Sequence, residues 1–184
     1  IVPRRLKTEY RKTASHAMGP VWEANHMWIV LAVVILFVAF PKAFAVLSTS
    51  LHLPLLLLLI AIVFRGSAFV FRTYDVKQDV THDWYSWIFS ISSLLAALSL
   101  GFLGASLFSG IPSIPTSEFS FVEFYLLPWL TFLGGGLGVF MSVLFTWISA
   151  VFLIDETKSE ELRNFLLLSA KFLSIVAVVG GALV

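Results

Sequence analysis

Long apolar stretches alternate with short polar ones along this chain, and the apolar stretches are too long and too evenly greasy for an amphipathic soluble fold. A helix needs about 20 mostly apolar residues to cross the hydrocarbon core of a bilayer. Stretches near residues 26–47, 51–71, 84–108, 122–153 and 164–184 meet or nearly meet that length. Each gap has a reason to break a helix. Pro41 and Lys42, then Ser48, Thr49 and Ser50, predict a tight turn after the first stretch, with Pro54 in the first turn of the next helix, where its missing N–H costs nothing. The first two stretches therefore read as a helical hairpin. The segment Thr73 to Asp83 carries Asp75, Lys77, Asp79 and Asp83 and belongs in water. Gly110, Pro112 and Pro115 end the third stretch, and Ser117 with Glu118 can cap the return toward the fourth. The pattern predicts an all-α fold, a polytopic transmembrane helix bundle of about five membrane-spanning helices.

Composition agrees. The mean hydropathy of +0.94 and a charged fraction of 12% lie far from soluble domains, where charged residues make up roughly a quarter. Net charge is +1 and the basic residues are dispersed among loops, which leaves no footprint for nucleic acid. Without cysteine there is no disulfide and no thiolate metal or haem ligand. Residues 1–184 read as a single transmembrane domain. A start at Ile1 and an end at Val184 inside an apolar stretch make it an expected part of a longer chain. The opening residues, with Arg4, Arg5, Lys7, Arg11 and Lys12, lack the apolar core of a signal peptide and are expected as an interfacial loop.

Orientation follows from the basic residues, which favour cytoplasmic loops. Arg4, Arg5, Lys7, Arg11, Lys12, Arg72, Lys77, Lys158 and Arg163 fall on one side and Lys42 on the other, with Arg65 and Lys171 inside spans. The opening segment, the 73–83 loop and the 154–163 loop are expected to face the cytoplasm.

The candidate chemistry lies where the basic opening meets the first apolar stretch, at Gly19-Pro20-Val21-Trp22-Glu23-Ala24-Asn25-His26-Met27-Trp28. A carboxylate at the membrane boundary costs free energy unless it is hydrated, paired or protonated, so Glu23 is the first functional candidate. Glu23 and His26 stand three apart, which on a helix is one face. One reading makes Glu23, Asn25 and His26 a proton path, because a carboxylate and an imidazole exchange protons near neutral pH. The other makes Glu23 an ordinary acid at a helix start, with Trp22 and Trp28 as interface anchors. No catalytic residue is assigned, and no metal site, since no second His or Cys stands at ligand spacing to His26.

Arg65 and Arg72, seven residues apart, place two cations on one stripe of an apolar helix. The guanidinium fork suits a carboxylate or phosphate, such as a haem propionate, a lipid head group or an acid of a neighbouring subunit. Alternatively Arg65 snorkels to the cytoplasmic end, about 10 Å away at 1.5 Å per residue. Gly134 and Gly138 make a Gly-x-x-x-Gly spacing, repeated by the small pair Gly101 and Ala105, and such pairs let membrane helices approach closely.

The run at 19–28, followed by Phe-Val-Ala-Phe-Pro at 37–41 and Phe-Arg-Gly-Ser-Ala-Phe-Val-Phe-Arg at 64–72, resembles subunit II of cytochrome bd-type quinol oxidases, as does the run from Gly136 through Thr146 to Leu162. The resemblance implies the non-haem subunit of a terminal oxidase that oxidises quinol and reduces oxygen to water. It implies b- and d-type haems in subunit I, a hetero-oligomer with that subunit in the lipid bilayer, and a multi-pass place in a bacterial or archaeal cytoplasmic membrane. It also implies that Glu23, the acid of the Trp-acid-x-Asn motif, lines a cytoplasmic proton path, and that Trp22, Arg65 and Arg72 contact the partner subunit or an anionic group. Two features depart from the family pattern: an opening helix with a Gly-Phe-Asp type motif and most of the second four-helix repeat are not here, and Val70 stands where many members carry an acid. The alternative from a different class is a multispan transporter in which Glu23 and Arg65 bind an ion or substrate. That alternative predicts inverted repeats and helices broken near the midplane.

Overall fold

The computed structural model describes residues 3, 6–74, 81–110, 126 and 129–183, without the side chains of residues 7, 8, 11, 12, 15, 18–20, 22–26, 73, 74, 81–83 and 183. Every regular element among them is a helix: α1 Lys7–Ala39, α2 Pro41–Ser50, α3 His52–Tyr74, α4 Thr81–Ser109, α5 Phe132–Glu156 and α6 Glu160–Leu183. Four of these, α3 to α6, are long and apolar enough to cross a membrane, and the bent pair Met27–Ala39 and Pro41–Ser50 would make a fifth. Most of the 73–83 loop, and Pro112, Pro115, Ser117, Glu118 and Glu123, lie outside the described residues.

The opening segment is not a loop. α1 begins at Lys7 and runs unbroken for 33 residues, about 50 Å at 1.5 Å per residue. Leu6, Tyr10, Ala14 and Ala17 recur at helical spacing. They pack on Leu153, Ile154, Leu162, Phe165 and Leu166 at the elbow between α5 and α6. A helix of this composition gains its stability from that buried stripe rather than from propensity. Leu162 at 1% exposure and Leu166 at 3% are the centre of the contact.

The first apolar stretch is not one straight span. Phe40 leaves the helical region at φ −130°, ψ 58°, and the chain bends by 113° between Met27–Ala39 and Pro41–Ser50. Pro41 has no N–H, and its ring would strike the carbonyl of Phe37 if the helix continued. Phe44 then folds back edge-on to Phe37, with ring centroids 5.2 Å apart. The turn expected at Ser48 to Ser50 is displaced to this point. Leu51, by contrast, keeps helical bonds on both sides, from its N–H to the Leu47 carbonyl at 2.9 Å and from the Leu55 N–H to its own carbonyl at 3.1 Å. Pro54 does fall in the first turn of α3, fully buried.

The chain divides into two compact units, one of residues 1–44 and 143–183, the other essentially 45–142. In the second unit α3 and α4 pack along their lengths. The pairing of Phe71 with Tyr85 and of Phe69 with Phe89 sets them antiparallel. Both helices bury small residues every seven positions, Pro54, Ala61 and Ala68 on α3 and Ser92, Ser99 and Ser106 on α4, which lets their backbones approach without a large side chain between them. Buried hydroxyls bond within the helix: Ser92 Oγ donates to the Ile88 carbonyl at 2.6 Å and Ser106 Oγ to the Phe102 carbonyl at 2.9 Å. α4 ends at Ser109, and Gly110 follows with φ +85°, the left-handed residue that commonly closes a helix.

α5 starts later than residue 122 because Thr131 caps it, its Oγ1 accepting from the Gly134 N–H at 3.0 Å. In the first unit α5 and α6 are tied by Trp147 Nε1, which donates to Ser174 Oγ at 2.8 Å. With no water in hydrocarbon to receive the indole N–H, such a partner satisfies it.

Candidate functional site

The stretch that carries Glu23, Asn25 and His26 lies inside α1, not at its start. Glu23 is the seventeenth residue of a helix that begins at Lys7, roughly 24 Å along the axis from the first turn. The field of a helix terminus falls off within the first turn, so the N-terminal dipole gives Glu23 no support. The helix-start account of Glu23 therefore does not apply. Pro20 sits three residues before Glu23 in the same helix. Lacking an N–H, it cannot donate to the carbonyl of His16. The side chains of Trp22, Glu23, Asn25 and His26 lie outside the described residues, so the structure places their backbone and helix register.

Beyond His26 the helix is apolar on every side. From Met27 to Phe40 each side chain is exposed except that of Leu36, which is half-buried. Such a surface is fit for lipid or for the apolar face of another subunit.

Arg65 stands on α3 facing α4. Its Cζ lies 5.4 Å from the centroid of the Phe89 ring, within the range where a cation is attracted by the ring face. Phe69 lies against the same ring at 6.4 Å, one helical turn beyond Arg65. The Nε of Arg65 is buried and has no hydrogen-bond partner among the described residues. A half-buried guanidinium with an unused buried donor is costly, and an aromatic face offsets only part of that cost. Arg72, two turns on, is half-buried in the last turn of α3.

A side chain would collide at Gly134 and be tight at Gly138. A Cβ on Gly134 would come within 2.6 Å of the Trp129 carbonyl and 2.8 Å of Phe102 Cδ1, while one on Gly138 would press on Leu98 at 3.2 Å. Gly101 of α4 is the tightest point, since a Cβ there would enter the backbone of Gly138. Trp129 is buried and meets Phe102 edge-on at 5.2 Å.

A contact with no signal in the linear pattern joins His16 of α1 to Glu156, the last residue of α5, with Nδ1 and Oε1 3.7 Å apart. His16 reads as a boundary histidine in isolation, and nothing short of the fold brings residue 156 beside it. Nearby, burial pushes the phenol of Tyr10 above its ordinary pKa. No group of three or more His, Asp or Glu side chains capable of holding a metal occurs among the described residues.

Residues 2–184 match the family described as cytochrome bd terminal oxidase subunit II. Among curated relatives, the chain is 31% identical over 102 residues to the cytochrome bd ubiquinol oxidase subunit 2 of Bacillus subtilis, a match covering 55% of this chain and 30% of that protein. It is 24% identical over 102 residues to the cytochrome bd-I ubiquinol oxidase subunit 2 of Escherichia coli K12, and likewise to the probable cytochrome oxidase subunit 2 of Haemophilus influenzae, each covering 55% of this chain and 27% of the relative. The matched stretch thus spans less than a third of the relatives' length.

Proposed function

The chain belongs to the cytochrome bd terminal oxidase subunit II family, and from that premise we propose that it serves as the non-haem subunit of a quinol-oxidising respiratory oxidase in a bacterial or archaeal cytoplasmic membrane. In this role the chain braces subunit I, which carries the b- and d-type haems, and guides protons toward them through Glu23, Asn25 and His26. Residues 1–184 form one transmembrane portion of a longer subunit. The printed names of the relatives, subunits of ubiquinol oxidases, support the substrate and the partnership.

The haems supply oxygen binding and electron transfer, and reduction of oxygen to water consumes one proton for every electron. This chain's contribution is to move those protons from the cytoplasm. The observation that carries the reading is the place of Glu23 in the interior of α1, where the helix dipole does not hold it. A carboxylate there is kept for hydration and proton exchange. The packing of α1's opening turns on the α5–α6 elbow puts the basic opening and the Lys158 and Arg163 cations at one end of their unit, in keeping with a cytoplasmic mouth. Arg65, with its unused Nε, is the contact point for an acid of the partner or another anion, and Trp22 and Arg72 lie on the same side of the membrane by sequence position. With the family established, the transporter alternative retains only the broken span at Phe40–Pro41 in its favour.

The test is Glu23→Gln in the full-length complex. The glutamine preserves size and hydrogen bonding but cannot carry a proton. Oxygen consumption is expected to fall on the order of a hundredfold, the usual worth of a positioned proton-transfer group, with haem content by optical spectrum unchanged. Full turnover in the variant overturns the proton role.

A further inference from the structure

A proton path needs a collecting station at its mouth, and one stands on the same helix as Glu23. His16 and Glu23 are seven residues apart on α1, which is two turns less about 20°, so both lie on one helix face separated by about 10 Å of rise. Pro20 lies between them on that face. Because it cannot donate to the His16 carbonyl, the helix there presents a backbone acceptor with no intrahelical donor, a point where water enters a helix. His16 itself is 87% exposed, and its Nδ1 is 3.7 Å from Glu156 Oε1, on a side chain 45% exposed. The pair does not hold itself together. Its spacing is imposed from beneath, where the adjacent Ala17 is buried against the cluster that includes Leu153, one turn before Glu156.

The charged and titratable groups on the elements packed here are Lys7, Glu9, Tyr10, Arg11 and Lys12 in the opening turns of α1, Asp155 and Glu156 at the end of α5, Lys158 in the connection, and Glu160, Glu161 and Arg163 in the first turn of α6. Acids outnumber cations on the elbow, and all six of its charged residues are exposed. A carboxylate beside an imidazole at an exposed surface, with further acids on the same elbow, favours the presence of a proton there, and an imidazole can take up and release one near neutral pH. On the reading of Glu23 given above, we propose that the His16–Glu156 pair is the proton-collecting station of this subunit. The imidazolium gives its proton to water at the Pro20 notch, which passes one to the Glu23 carboxylate, and the neutral imidazole takes up the next proton from solution or from Glu156. No electron moves in these steps.

The full-length chain in its oxidase complex, reconstituted in liposomes, tests this with three variants and a mobile buffer. His16→Gln is expected to slow oxygen consumption roughly tenfold in weakly buffered solution, with the haem spectrum unchanged, and added imidazole should restore the rate. His16→Asp, which keeps a titratable group, should run near the unaltered rate, while Glu23→Gln should stay slow whatever the buffer. If His16→Gln turns over normally at every buffer concentration while Glu23→Gln is slow, the station falls and the path through Glu23 stands. If Glu23→Gln is itself unimpaired, the path falls first. Loss of haem in His16→Gln, or failure of both His16→Asp and imidazole to restore turnover, assigns His16 a structural role and overturns the proposal.

Discussion

Arg65 shows how far a single residue can be read alone. The linear pattern places a cation in an apolar helix and asks for an anion. The structure answers with the face of Phe89 at 5.4 Å and leaves Nε without a partner among the described residues. A cation over an aromatic ring contributes about 0.5–2 kcal/mol, which does not replace the hydrogen bond that the buried Nε lacks among the described residues. Phe89→Leu should therefore weaken the complex only slightly, whereas Arg65→Ala should reduce the yield of assembled, haem-loaded oxidase severalfold. Arg65→Lys should not restore it, since an ammonium has neither the fork nor the flat face. Normal yield of Arg65→Ala, measured by haem content after purification, would show that Arg65 makes no partner contact. Glu23 is the contrasting case: its chemistry is legible from its neighbours in the chain, but only the continuation of α1 back to Lys7 separates it from a helix terminus.

At the scale of helices, the glycines divide by what stands opposite them. The Gly-x-x-x-Gly spacing marks Gly134 and Gly138 as small for a reason, yet it says nothing of which helix approaches or of how close it comes. In the structure a Cβ on Gly101 would meet the Gly138 backbone, which cannot yield, while one on Gly135 would meet nothing within 4 Å. Gly101→Ala should destabilise the α4–α5 contact by about 1–3 kcal/mol, as overpacking does. Gly138→Ala should cost less, because one of its closest neighbours is the Leu98 side chain. Gly135→Ala should be neutral or stabilising by up to roughly 1 kcal/mol through helix propensity. Thermal unfolding in detergent ranks the three, and equal losses at Gly101 and Gly135 would contradict the packing. Helix ends were legible wherever a local residue enforces them, as at Pro54 and Gly110. The start of α5 was not, because a cap such as Thr131 is one of many candidates until the helix it caps is seen.

For the whole molecule, the decisive contact is the opening of α1 against the α5–α6 elbow, which joins residues near 10 to residues near 160. Tyr10 reports on it. Burial raises its pKa, so the folded elbow holds the phenolic proton while an unfolded tyrosine loses it near pH 10. The folded state then binds more protons than the unfolded one, and stability falls as pH rises past about 10. Thermal unfolding should show that loss, and Tyr10→Phe should abolish it; an unchanged alkaline slope in Tyr10→Phe would remove Tyr10 as its source. Hydrophobic length alone settled that the chain is helical and membrane-spanning, because crossing hydrocarbon requires about 20 apolar residues with their backbone bonded internally. The motifs around Glu23 and Arg65 settled the family, because they are short and local. What the linear order left undecided was everything set by side chains far apart in it. The basic opening became a helix because Leu6, Tyr10, Ala14 and Ala17 found the elbow to bury against. His16 acquired Glu156 because that burial brought them together, and Gly101 became irreplaceable because Gly138 lies against it. Periodicity records which face of a helix is apolar; the partner that covers the face is chosen only when the helices pack.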